Sequence, residues 1–135
     1  MGQQQLLLIV LGVIIVGVAI VVGINMFSKG AVNAESDRLV QEVNAVGSNG
    51  AAFWRKPEQM GGGGRSFAGI TVAAGLAKLG VSDTTENTIM VISTAGTAGD
   101  AGSFGVTATG RSEGVIVVAT IDKDGVSGSP TITYP

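Results

Sequence analysis

Cysteine and histidine are absent from this chain of 135 residues. No disulfide can close, no thiolate can serve as nucleophile or ligand, and the commonest zinc ligands are missing. No Ser, Lys or Asp constellation stands in for the missing base and nucleophile, so the expectation is that the chain is not an enzyme and uses no cofactor. Charge is scarce, at 13% of residues with a net of −2, against roughly a quarter in ordinary soluble domains. Every charged residue lies at Lys29 or later, and none of the cations forms a long basic tract. Bulk electrostatics therefore gives no case for nucleic acid or an anionic lipid surface. Aromatic residues are few and scattered from Phe27 to Tyr134, which leaves no continuous stack for electron conduction.

What is abundant sits at the start. The chain opens MGQQQLLLIVLGVIIVGVAIVVGINMFSKG, and Leu6 to Ile24 carries neither charge nor proline. Nineteen residues at 1.5 Å each span about 28 Å as a helix, close to the hydrocarbon thickness of a bilayer. Many are β-branched, a handicap for helix formation in water. In hydrocarbon the backbone must close its hydrogen bonds internally, and the helix prevails. A strand of this length is excluded by its size. Val32-Asn33-Ala34 has the small residues of a secretory cleavage site, but the apolar core is long for a signal and no basic region precedes it. The expectation is a retained segment rather than a cleaved one. A plain membrane anchor would draw its orientation from flanking cations, and the only one nearby is Lys29.

The helical pattern continues past Gly30. Leu39, Val43, Val46 and Gly50 recur at i, i+4, i+7 and i+11, with Asp37, Arg38, Gln41, Glu42 and Asn44 on the other faces. Asn33 or Ser36 would cap this second half if the chain broke near Gly30. Pro57 disfavours a helical Lys56 and ends the element near Phe53 to Arg55. Phe53 and Trp54 are read as packing the helix end onto a sheet, with Arg55, Lys56 and Arg65 facing water.

Beyond the helix, Met60-Gly61-Gly62-Gly63-Gly64-Arg65 reads as a flexible joint. It lacks the spacing of a phosphate-binding loop. Residues 66–79 are alanine-rich, part loop and part helix, closed by Gly80. Strands are expected over 88–94, 104–109, 114–121 and 131–134, with Asp122-Lys123-Asp124-Gly125 as a hairpin turn. That turn echoes the start of a calcium loop without the later ligands, so no metal is assigned. The predicted fold is α+β. A long N-terminal helix, apolar in its first half and amphipathic in its second, packs on a small C-terminal antiparallel β-sheet. The expected boundaries are 1–55 for the helix (1–28 apolar, 29–55 amphipathic), 56–66 for the linker and 67–135 for the β-rich head.

With these features in place, the chain resembles a type IV pilin-like subunit, of the bacterial and archaeal type IV pilus and pseudopilin superfamily. The resemblance rests on the apolar helix, its amphipathic continuation to Trp54, the glycine-rich link and the small sheet. It implies a structural subunit that polymerises into an extracellular filament, with a role in adhesion or motility. It implies residence in the inner (cytoplasmic) membrane before assembly, then in the cell-surface filament. The implied partners are copies of the same chain, the membrane, a prepilin peptidase and the pilus assembly machinery. Met1 would be the residue exposed by leader removal and then N-methylated. Cleavage after Gly2, with Gln3 first, would put Leu7 four residues on. The filament core would be built from Gln5, Leu6, Leu7, Leu8, Ile9, Leu11, Ile14, Ile15, Val18 and Val22. Gln5 stands where the family commonly has a glutamate; Gly12, Gly17 and Gly23 offer loosening where many members have a proline. The alternatives are a minor pseudopilin of a secretion system or a membrane-anchored binding module.

Overall fold

The structure, a computed structural model, describes residues 2–135. Met1, read as the processed and methylated residue, lies outside the described residues. Helix α1 runs over Gly2–Arg55 with no break at Gly30. Neither Asn33 nor Ser36 therefore acts as a cap; both are interior to the helix, and Ser36 is buried. The chain divides into two compact units, one ending at Asn33 and the other Ala34–Pro135.

In the second unit, four antiparallel strands follow one another in sheet order: β1 (Thr88–Thr94), β2 (Phe104–Gly110), β3 (Ile116–Asp122) and β4 (Gly125–Thr133). The fold is α+β, with the helix packed on the sheet as the sequence predicts. Strand alternation sends Met90, Ile92, Phe104, Val106, Ala108, Val117, Ala119 and Ile121 inward, where all are buried. The helix meets them with Leu39, Val43 and Val46, each fully buried. Gly50 completes that stripe for a spatial reason: a Cβ there would stand 2.9 Å from Ile121 Cγ2 and 3.1 Å from the Phe104 ring. The short helix α2 (Gly75–Lys78) and the preceding loop close the core with Phe67, Ile70 and Leu76, Phe67 lying edge-on to Phe104 at 5.1 Å.

The glycine run departs from expectation. Instead of a free joint it is a hydrogen-bonded reversal that caps α1. Gly63 N–H donates to Phe53 O at 2.8 Å, Arg65 N–H to Trp54 O at 2.8 Å, and Gly64 N–H to Lys56 O at 3.0 Å. These satisfy carbonyls that a helix end leaves unpaired. Any Cβ on Gly63 would collide with Ser66 O and the Phe53 ring, so the run is glycine because the backbone doubles back on itself. Glu58–Met60 forms one 3-10 turn inside this reversal.

Glu35, to which the sequence reading assigns no role, is only 6% exposed. Its carboxylate accepts N–H bonds from Ser112 and Glu113, both at 3.0 Å, and from Val115 at 3.4 Å. One helix side chain thus holds the β2–β3 turn across 77 residues of sequence. Gly110 makes this approach available, since a Cβ there would collide with the Glu35 carboxyl group. One turn further along, Arg38 donates to Asn87 O at 3.1 Å and Thr88 Oγ1 at 3.2 Å, tying the start of β1 to the same helix.

Glu35→Ala is expected to lower the unfolding free energy by roughly 3 kcal/mol, because it removes charge-assisted bonds and leaves amide donors without partners. Glu35→Gln should cost about half as much, as one carbonyl oxygen remains. Chemical denaturation of the full chain in detergent, followed by Trp54 fluorescence, reads both; equal stability of Glu35→Ala and the parent would contradict the clamp.

Candidate functional site

The candidate functional surface is the first part of α1. From Leu6 to Phe27 its large apolar side chains are exposed, from 47% at Val10 to 85% at Phe27. The segment is long and apolar enough to cross a membrane, with a mean hydropathy of 3.3 over its most apolar stretch. Every residue assigned to a filament core from sequence lies here. Gln5 is exposed on the first turns, Leu6, Leu7, Leu8 and Ile9 follow it, and Leu11, Ile14, Ile15, Val18 and Val22 are exposed further along. Together they take in all sides of the helix rather than one face. An all-round apolar helix requires an apolar environment all round.

The helical geometry adds a distinction that residue spacing alone obscures. At about 100° per residue, Gln5, Gly12, Ala19, Gly23 and Gly30 stay within about 40° of one another along one side. Gly17 lies about 120° away from Gln5 and does not belong to this side. The helix is regular through Gly12, Gly17 and Gly23, the three positions read as points of loosening, and open space lies beyond the Cα of each. One narrow side therefore presents small residues and an amide, and the others present branched aliphatic groups. Small residues let a second backbone approach closely, which is how helices gain packing energy where lipid already satisfies their apolar surface.

The remaining sequence candidates sit apart from this segment. Phe53 and Trp54 are buried at the end of α1, and Arg55 and Lys56 are exposed. The Arg65 guanidinium lies 5.2 Å from the centre of the Trp54 ring and 3.3 Å from Asp100 Oδ1. This stack covers the tryptophan and takes its cation out of any basic cluster. The Asp122–Gly125 turn uses its carboxylate internally, Asp124 N–H donating to Asp122 Oδ1 at 2.9 Å. Among the described residues no group of carboxylates converges as a metal site.

A charge in the middle of the apolar segment reports directly on its environment. Ile15→Asp should weaken membrane partition by about 2.5–3.5 kcal/mol, and shift the chain from the carbonate-resistant membrane fraction towards the soluble fraction. An unchanged membrane fraction would mean that this segment is not what anchors the chain. No family model matches the chain, and neither a curated protein nor a solved structure matches it.

Proposed function

We propose that the chain is a structural subunit of a type IV pilus-like helical filament, stored in a membrane through its N-terminal helix and then polymerised. In the assembled state the apolar helices form the core, and the β-units form the surface. One observation carries the reading: a helix exposed and apolar on every side is the same continuous α1 whose later residues complete a closed α+β unit.

The C-terminal unit closes its own core, whereas residues 6–27 need either lipid or other apolar helices. Lipid serves them in the membrane. Outside it, neighbouring copies would carry matching apolar surface along the full length of the segment. The side formed by Gln5, Gly12, Ala19 and Gly23 supports this exchange by admitting a neighbouring helix at close range. Gln3, Gln4 and Gln5 bring hydrogen-bonding groups without charge, so burial among apolar helices costs less than a carboxylate would. Adhesion or motility, and export to the cell surface, are the roles this reading assigns to the filament.

The membrane-anchored module is the competing reading, and the same segment serves it with no polymer. Overexpressed full-length protein, released by shear from cells and viewed by negative stain, should show uniform thin filaments. Those filaments should survive 1 M NaCl and dissolve in detergent, because their core is apolar rather than ionic. A monomer released only by detergent, with no filaments at any stage, would favour the anchored module instead.

A further inference from the structure

A groove of about 330 Å3 opens where α2 and the loop after it meet the edge strand β1. Val72, Leu76, Val81, Met90 and Val91 make it apolar, and Asp83 is the one charged residue in its lining. Among the described residues no ion pair or hydrogen bond engages the Asp83 carboxylate. The cations on the elements around it are committed elsewhere. Lys78 donates to Gly69 O at 2.7 Å, and Arg38 lies beside Glu42 and donates to Asn87 O and Thr88 Oγ1. Glu86 is outside the lining, at the end of the sheet where Arg111 N–H donates to Asn87 O.

A surface of matching chemistry stands at the end of the apolar segment. Leu6 to Ile24 already matches a bilayer core of about 30 Å, so the turn after it extends beyond hydrocarbon. The apolar side chains of that turn are nevertheless highly exposed, Met26 at 71% and Phe27 at 85%. Lys29 carries the only charged side chain of residues 2–33. It follows Met26 by three residues and shares its face of the helix, whereas Phe27 lies about 160° away. Within helical reach of Lys29 are Asn25, Met26, Val32 and Asn33, none of them acidic. Lys29 therefore has no counter-ion on its own helix.

We infer that the Met26–Lys29 face of one copy seats in the α2–β1 groove of the next; the inference rests on the filament reading above. Charge selects this occupant, since the groove holds one free carboxylate and the segment one free ammonium. Side-chain shape agrees with it. Methionine is unbranched and conforms to an irregular groove, and the lysine stem extends the apolar contact while its ammonium reaches the rim. Continuity is the third argument. Neighbouring helices cover residues 6–24 in the proposed core, and at Met26 that cover passes to the C-terminal unit of a neighbour. Met60, also exposed at 67%, has both Lys56 and Glu58 close in sequence and so offers the groove both signs.

An exposed ion pair adds little by itself, so burial of the side chains holds the contact and the charges set its register. The surfaces are unlike: every copy carries one groove and one Met26–Lys29 face. Such a contact repeats without closing, as a helical polymer requires.

The absence of native cysteine gives the test a clean background. Full-length Met26→Cys/Val72→Cys protein, sheared from cells as filaments and mildly oxidised, should run on a non-reducing gel as a ladder of dimers, trimers and longer species. Either cysteine alone should give no ladder. Independently, Lys29→Glu and Asp83→Lys should each require about fivefold more protein to give filaments, since each places like charges in the contact. The exchanged pair Lys29→Glu/Asp83→Lys should return to within about twofold of the parent. Membrane fractions of all variants are compared first, which separates storage from assembly. An absent ladder would overturn the inference, as would parent-like assembly of both single reversals or failure of the exchanged pair to recover. Absence of filaments from the parent itself is a different result, and it strikes the filament reading.

Discussion

A helix that is apolar on every side must be surrounded, and one that is apolar along a stripe must be covered along that stripe. Helix α1 imposes both conditions with a single hydrogen-bonded element, and the rest of the structure answers the second. Leu39, Val43, Val46 and Gly50 are covered by the inner face of the sheet, and the tight contact at Gly50 leaves no room for any larger residue. Val106, Val117 and Ile121 on that face are fully buried. Without the later half of α1 the unit would lose the side of its core that Leu39, Val43 and Val46 supply. Glu35 fixes the turn of β2 and β3 on the helix, Arg38 fixes the start of β1, and the glycine reversal seals the helix end.

Much of this was legible in the sequence, because it follows from periodicity. Strand β1 occupies the predicted residues 88–94, and β2 and β3 differ from prediction by two residues or fewer at either end. Strand β4 is longer than expected, running from Gly125 rather than 131. Gly128 and Pro130 interrupt its alternation, and the register between β3 and β4 shifts between Val118 and Thr120. A pattern of period two cannot reveal a strand that contains such a shift. The glycine run misled for a related reason. Four consecutive glycines mark either freedom or crowding, and only the returning backbone at Phe53 and Ser66 distinguishes the two.

Glu35 shows what the sequence did hold but charge obscured. It stands four residues before Leu39, in line with the buried stripe, so its placement on the helix already marked it as inward. A carboxylate at such a place is tolerable only if the fold brings it donors, and the amides that do so lie 77 or more residues away. The small-residue side of the first half is a similar case. The glycine spacings look irregular in sequence, and Gln5, Gly12, Ala19 and Gly23 align only after helical rotation is applied. The apolar segment was evident from composition, whereas the difference between its sides was not.

That difference bears on what would drive the proposed assembly. Moving an apolar helix from lipid into a core of similar helices exchanges one apolar environment for another, so the area term of about 25 cal/mol per Å2 largely cancels. What remains is the quality of packing: how closely backbones approach, how well branched side chains interdigitate, and whether the few polar groups find partners. Branched aliphatic residues on most sides of the segment supply rigid surface with little rotamer freedom to lose. Gly12, Ala19 and Gly23 supply the one side where a neighbour can come close. In the proposed filament, cohesion therefore depends more on that narrow side than on total hydrophobicity, and enlarging it would harm assembly while leaving membrane storage intact.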